Sequence, residues 1–98
     1  PTDIEAWLDF SSIYFEQQKY IQAIDVMADA IKINPEASEL YYRIVAYLFA
    51  NGQYNEALNF LELGLSTNPE KHHILFDYLP QLQGNQIIVD IIKKYGNP

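Results

Sequence analysis

Large apolar side chains recur along this chain at helical spacing. Trp7, Phe10 and Tyr14 stand at i, i+3 and i+7, one stripe of a helix with 3.6 residues per turn. Ile24, Met27 and Ile31 form a second stripe, which predicts a following helix packed on the first. Ala23 and Ala30 are small residues on that second helix, so the two antiparallel helices can approach closely. Asn34-Pro35 then ends the hairpin, because proline cannot continue a helix interior. Thr2 with Glu5 has the spacing of a capping box at the start of the first helix.

The pattern then repeats. A shift of 34 residues lays Trp7 on Tyr41, Phe10 on Ile44 and Tyr14 on Leu48. It also lays Tyr20 on Tyr54, Ala23 on Ala57, Met27 on Leu61 and Ala30 on Gly64, and ends with Asn34-Pro35-Glu36 on Asn68-Pro69-Glu70. Large, small and proline positions matching in that order mark an internal repeat, not coincidence. Asn51-Gly52 is a strong stop between the two helices of the second copy, since glycine takes the left-handed conformation without a Cβ penalty. The first copy has Gln17-Gln18 there, which predicts a different or a strained turn.

A third copy begins with Leu75, Tyr78, Leu79 and Leu82 and then departs from the pattern. Pro80 removes a backbone donor and clashes one turn back, at a cost of ~3 kcal/mol in a regular helix interior, so the helix is expected to end or kink near Leu79. Gly84-Asn85 reads as a turn with Asn85 as N-cap of a last helix, about 86–95. That helix carries Ile87, Ile88, Ile91, Ile92 and Tyr95 on one face, with Ile91 in place of the repeat's small alanine. Gly96 stops it, and Lys93 and Lys94 suit its C-terminal dipole.

On these residues the chain resembles the tetratricopeptide repeat, whose 34-residue unit is a helix–turn–helix with this order of aromatic, small and proline positions. The likeness covers Ile4–Lys71, and the whole is similar to the C-terminal portion of a bacterial protein with many such repeats. It implies an all-α right-handed superhelical stack of antiparallel hairpins, about six helices. The expected units are 2–36 and 37–71, with a degenerate third unit, 72–98, shielding the last core layer as a C-terminal cap. Further repeats are expected before Pro1.

Composition narrows the chemistry. The 98 residues are 49% hydrophobic and 14% aromatic with no cysteine, so stability rests on apolar burial without disulfides or thiolate metal sites. Thirteen acidic against six basic residues give a formal charge of −7, which argues against nucleic acid and anionic membranes. A basic or apolar protein partner fits better. No apolar run reaches the ~18–20 residues of a membrane span, and no signal-peptide pattern occurs. A cytoplasmic location is expected, or a periplasmic one if a signal peptide has been removed.

Catalytic signatures are missing from the sequence: no Gly-rich phosphate loop, serine elbow, cysteine nucleophile or telling His–carboxylate spacing. His72-His73 are adjacent, so on a helix they point ~100° apart and do not converge on one ion. No enzyme activity, cofactor or metal is expected.

The family resemblance instead implies a concave groove lined by the first helix of each hairpin, holding an extended peptide or a partner helix. By position the groove would present Glu5, Leu8, Asp9, Ser12 and Glu16 from the first unit. The second would add Glu39, Tyr42, Arg43, Ala46 and Phe49, and the third His73, Phe76 and Asp77. Tyr42 and Phe76 are expected as an exposed aromatic patch, with Arg43 as the one fixed cation. Members that grip the carboxylate end of heat-shock chaperones use lysines and asparagines on these helices; Leu8, Ser12 and Arg43 stand there instead, so that clamp is absent. The alternatives to a binding module are a structural or oligomerisation segment of a longer superhelix, or an accessory segment of a larger enzyme or envelope-assembly protein. A monomer or a weak homodimer through exposed repeat ends is expected.

Overall fold

In a computed structural model, residues 3–96 are described, and they form six α-helices. These are α1 (Ile4–Glu16), α2 (Tyr20–Ile33), α3 (Ser38–Ala50), α4 (Tyr54–Thr67), α5 (His73–Tyr78) and α6 (Gln86–Gly96). Two 3₁₀ turns, Pro69–His72 and Pro80–Gly84, bracket α5. Successive helices pack as hairpins: α1 on α2, α3 on α4, and α2 against α3 between them.

Helix starts follow local chemistry. Asp3 caps α1, its carboxylate accepting from the Ala6 N–H at 3.3 Å; Thr2 of the expected capping box lies outside the described residues. Asn85 caps α6 as the sequence predicts, its Oδ1 accepting from Ile88 N at 3.1 Å. Pro69 opens its 3₁₀ turn next to Asn68, whose side chain accepts from Glu70 N at 3.2 Å.

The two hairpin turns share one geometry. Gly52 N donates to Phe49 O and Gln53 N to Leu48 O; in the first hairpin Gln18 N donates to Phe15 O and Lys19 N to Tyr14 O. Gly52 sits at φ 78° and Gln18 at φ 62°, so the glutamine occupies the left-handed region that glycine takes freely. The turn of the first hairpin is therefore the strained version of the second.

Helix α3 is buried nearly all round, from Leu40 to Leu48, because α2 and α4 cover one side and α1 and α5 the other. The small positions act as read from the sequence. A Cβ on Gly64 would lie 3.2 Å from Tyr41 Cβ and 3.2 Å from Tyr42 Cε1, so α4 approaches α3 as closely as glycine permits. Ala23, Ala30 and Ala57 are fully buried at the equivalent seats. Phe10, expected on the core stripe, is 49% exposed, whereas its repeat counterpart Ile44 is 1% exposed. The α1 side that carries Phe10 has no described element packed on it, and α3 has one on every side.

Pro80 ends α5 after six residues, and Leu79 closes it by donating its N–H to Leu75 O. The 3₁₀ turn that follows still delivers Leu82 to the core. On α6, Ile88 is fully buried and Ile91, Ile92 and Tyr95 pack against the core, with the Tyr95 hydroxyl donating to Glu62 of α4 at 3.0 Å. Ile87 departs from that expected face and is 61% exposed. It stands at the second residue of α6.

Candidate interaction surface

The first helices α1, α3 and α5 lie side by side, as the groove expectation requires, with α3 in the middle. Glu5, Asp9 and Glu16 on α1 are exposed, as are His73 and Asp77 on α5. Glu39 is partly exposed and pairs with Lys71 at 3.3 Å. An exposed pair of this kind contributes roughly 0–1 kcal/mol, so it orients more than it stabilises.

Three other expected groove residues are not accessible. Tyr42 and Ala46 are fully buried and Leu8 nearly so. Tyr42 points to α4, not to the groove, and its hydroxyl donates to Asn68 O at 2.8 Å. Burial pushes its phenol up to about 12. Phe76 is half-buried against the core, with its ring 6.1 Å from the His72 ring. The expected exposed Tyr42–Phe76 patch is thus corrected: a helix with neighbours on every side has no free face for Tyr42.

The middle of the first-helix face is filled by the protein's own side chains. Phe15 of α1 stacks on Tyr47 of α3 at 4.8 Å, and Tyr78 of α5 meets Phe15 at 5.4 Å and Tyr47 at 5.7 Å. Rings from α1 and α5 therefore touch across α3. Arg43 lies over the same cluster, its Cζ 3.9 Å from the Tyr78 ring centroid. Its Nη1 donates to Ser12 Oγ at 2.8 Å, Tyr47 Oη at 3.2 Å and Leu8 O at 3.4 Å. The fully buried Ser11 hydroxyl completes the set, 2.7 Å from Tyr47 Oη and donating to Leu8 O.

Arg43 directs its charge onto Leu8 and Ser12 of α1 and the Tyr78 ring of α5. Its Nε is buried and has no partner, a desolvation cost set against the ring contact and the Nη1 bonds. Burial is also the main cause that pushes the Tyr78 phenol up to about 12, outweighing the lowering effects of the Ser12 hydroxyl and the Arg43 charge. The phenol stays protonated, and so able to donate, across the physiological range.

A cleft of about 720 Å³ opens at the turn ends of the hairpins. Phe15, Phe49, Leu58, Leu79 and Leu82 line its interior. Tyr54 and Ile87, both large and exposed, stand at its mouth with Gln81 and Asn85. Phe49, expected in the groove, belongs here, with its ring 5.4 Å from Tyr54. The sequence reading missed the aromatic cluster and this cleft. Pro80 was the available signal for the cleft, because a broken third helix leaves the turn end of the stack without its last helical turn.

The two histidines are occupied locally, with His72 Nδ1 2.9 Å from Pro69 O and His73 Nδ1 3.2 Å from Glu70 O. Among the described residues no group of three or more His, Cys, Asp or Glu could hold a metal, and no helix is long and apolar enough to cross a membrane.

Compared with known protein families, residues 14–75 match the tetratricopeptide repeat. The chain belongs to the tetratricopeptide repeat family. That match runs from Tyr14 of α1 to Leu75 of α5 and so takes in the whole second hairpin. Comparisons with curated proteins and with solved structures returned no match. Members of this repeat family generally mediate protein–protein interaction and are typically non-catalytic scaffolds.

Proposed function

We propose that this tetratricopeptide repeat chain is a non-catalytic interaction module that binds a basic peptide or partner helix along its first-helix face, the concave side in this family. The observation that carries the reading is the charge left on that face. Glu5, Asp9, Glu16 and Asp77 are exposed, whereas Arg43 is consumed by Ser12, Tyr47 and Tyr78, and Lys71 pairs with Glu39. A field of one sign steers an oppositely charged segment and sets its register. Because the middle of the face is filled by Phe15, Tyr47 and Tyr78, the ligand runs over the exposed stripes of α1 and α5 and does not enter a deep channel. Residues 72–98 serve in this reading as the cap of the stack.

The test is a fluorescence-anisotropy titration with a labelled peptide alternating lysine and leucine. The chain binds it in low salt, and the double variant Glu5→Lys, Asp9→Lys loses about tenfold in affinity, roughly the effect of reversing steering charges at a rim. Unchanged affinity in that variant, with its fold intact by circular dichroism, overturns the assignment of this face.

A further inference from the structure

We propose that the cleft at the turn ends is a second docking site, adjoining the first-helix face through Phe15, Glu16 and Asp77, and that its occupant is a basic amphipathic α-helix. The cleft arises from a single departure from the repeat. Pro80 stands where the second unit has Ala46, in the middle of α3. It stops α5 at Tyr78, and the 3₁₀ turn Pro80–Gly84 leaves the space between the turn of the second hairpin and the start of α6 open.

The lining decides what can enter. Five of its side chains form an apolar interior, and Tyr54 and Ile87, 58% and 61% exposed, leave large apolar surface uncovered at its mouth. At about 720 Å³ the space exceeds a single side chain severalfold and lies within the ~300–1,000 Å³ range of ligand sites. An occupant must therefore present several apolar side chains together.

The backbone of that occupant is constrained as well. An extended segment would bring unpaired N–H and C=O groups against this apolar wall, each costly to desolvate. The side chains lining the cleft offer only the Gln81 and Asn85 amides and the Tyr20 and Tyr54 hydroxyls as polar partners. A helix bonds its backbone internally and can insert an apolar stripe at i, i+3, i+4 and i+7.

Charge selects the flanks. Within four residues of a lining position stand Glu16, Glu56, Glu62, Asp77 and Asp90, against Lys19 alone. Glu62 already accepts from Tyr95 and Glu56 from Gln53, and each carboxylate keeps further acceptor positions for a cation. Lysines or arginines beside the apolar stripe are therefore favoured, and acidic flanks are repelled.

The test uses the whole chain and a labelled peptide with leucines at i, i+3, i+4 and i+7 and lysines on its other face, read by fluorescence anisotropy. Two companions, one carrying two internal prolines and one with glutamate for lysine, measure helicity and charge. The lysine peptide binds, each companion binds at least about tenfold more weakly, and Ile87→Gln and Tyr54→Gln each cost about tenfold, as expected for apolar anchors. Both sites are exposed, and unchanged thermal unfolding shows that the variants are folded. Each titration is repeated in a Glu5→Lys, Asp9→Lys background, which weakens the first-helix face and leaves the cleft lining intact, so failure on that face and failure in the cleft are separately visible. Equal binding of the proline or glutamate peptide overturns the proposal, as does indifference to both rim substitutions. A wild-type dimer in sedimentation that Ile87→Gln dissociates also overturns it, by making the occupant a second copy of the chain.

Discussion

The second hairpin and the third unit are built on one register, yet they solve the packing problem differently. Position for position, Tyr41, Tyr42, Leu48 and Ala57 become Leu75, Phe76, Leu82 and Ile91. In the second hairpin an unbroken α3 lies against α4 across Gly64, and its side chains are buried on all sides. In the third unit Pro80 divides the first helix, but Leu75 and Leu82 still reach the core, 0% and 7% exposed. Ile91, too large for the alanine seat, is only partly buried. Burial at fixed register positions survives the loss of helical continuity, whereas close helix–helix approach does not. The unfilled remainder is the cleft.

The largest test of this contrast is a matched pair of truncations. Tyr42→Ala removes a fully buried ring and its bond to Asn68 O, and it should cost about 3–5 kcal/mol in urea unfolding, as large aromatic truncations do. Phe76→Ala, at the half-buried counterpart, should cost about 1–3 kcal/mol by the area it buries. Equal losses would mean that the third unit is as tightly packed as the second. Both substitutions report on stability; neither is a clean probe of ligand binding.

A middle-sized effect is expected at the helix approach. Gly64→Ala places a Cβ against Tyr41 Cβ and the Tyr42 ring, and neither neighbour can retreat easily, since one is next to backbone and the other is pinned by its hydroxyl. Overpacking should outweigh the helix propensity gained and destabilise by about 1–3 kcal/mol. A rise in the urea midpoint would show that α3 and α4 have slack.

The smallest effect compares the two turns. Gln18→Gly should stabilise by about 0.5–1 kcal/mol, because it relieves a left-handed residue at φ 62° while adding some unfolded-state entropy. Gly52→Ala should destabilise by a similar amount, since nothing lies within 4 Å of the added Cβ and only the φ of 78° opposes it. Thermal unfolding of the two variants, shifting in opposite directions, checks the equivalence of the turns.

Much of this protein was legible in its residues. The 34-residue register, the small seats at Ala23, Ala57 and Gly64, the stop at Pro80 and the Asn85 cap depend on spacing and local stereochemistry, which a sequence carries directly. Charge and the lack of cysteine were equally plain. The accessible surface was not. Whether Tyr42 faces a groove or Asn68 depends on how many helices surround α3, and whether Phe15 reaches Tyr78 depends on how sharply successive first helices turn toward one another. Such facts belong to pairs of residues far apart in the chain. The sequence by itself therefore determined the repeat and its breaks, because they are local; tertiary structure alone decided which groove positions are filled, where Arg43 spends its charge and where the open cleft lies, because those follow from the sum of all the packings.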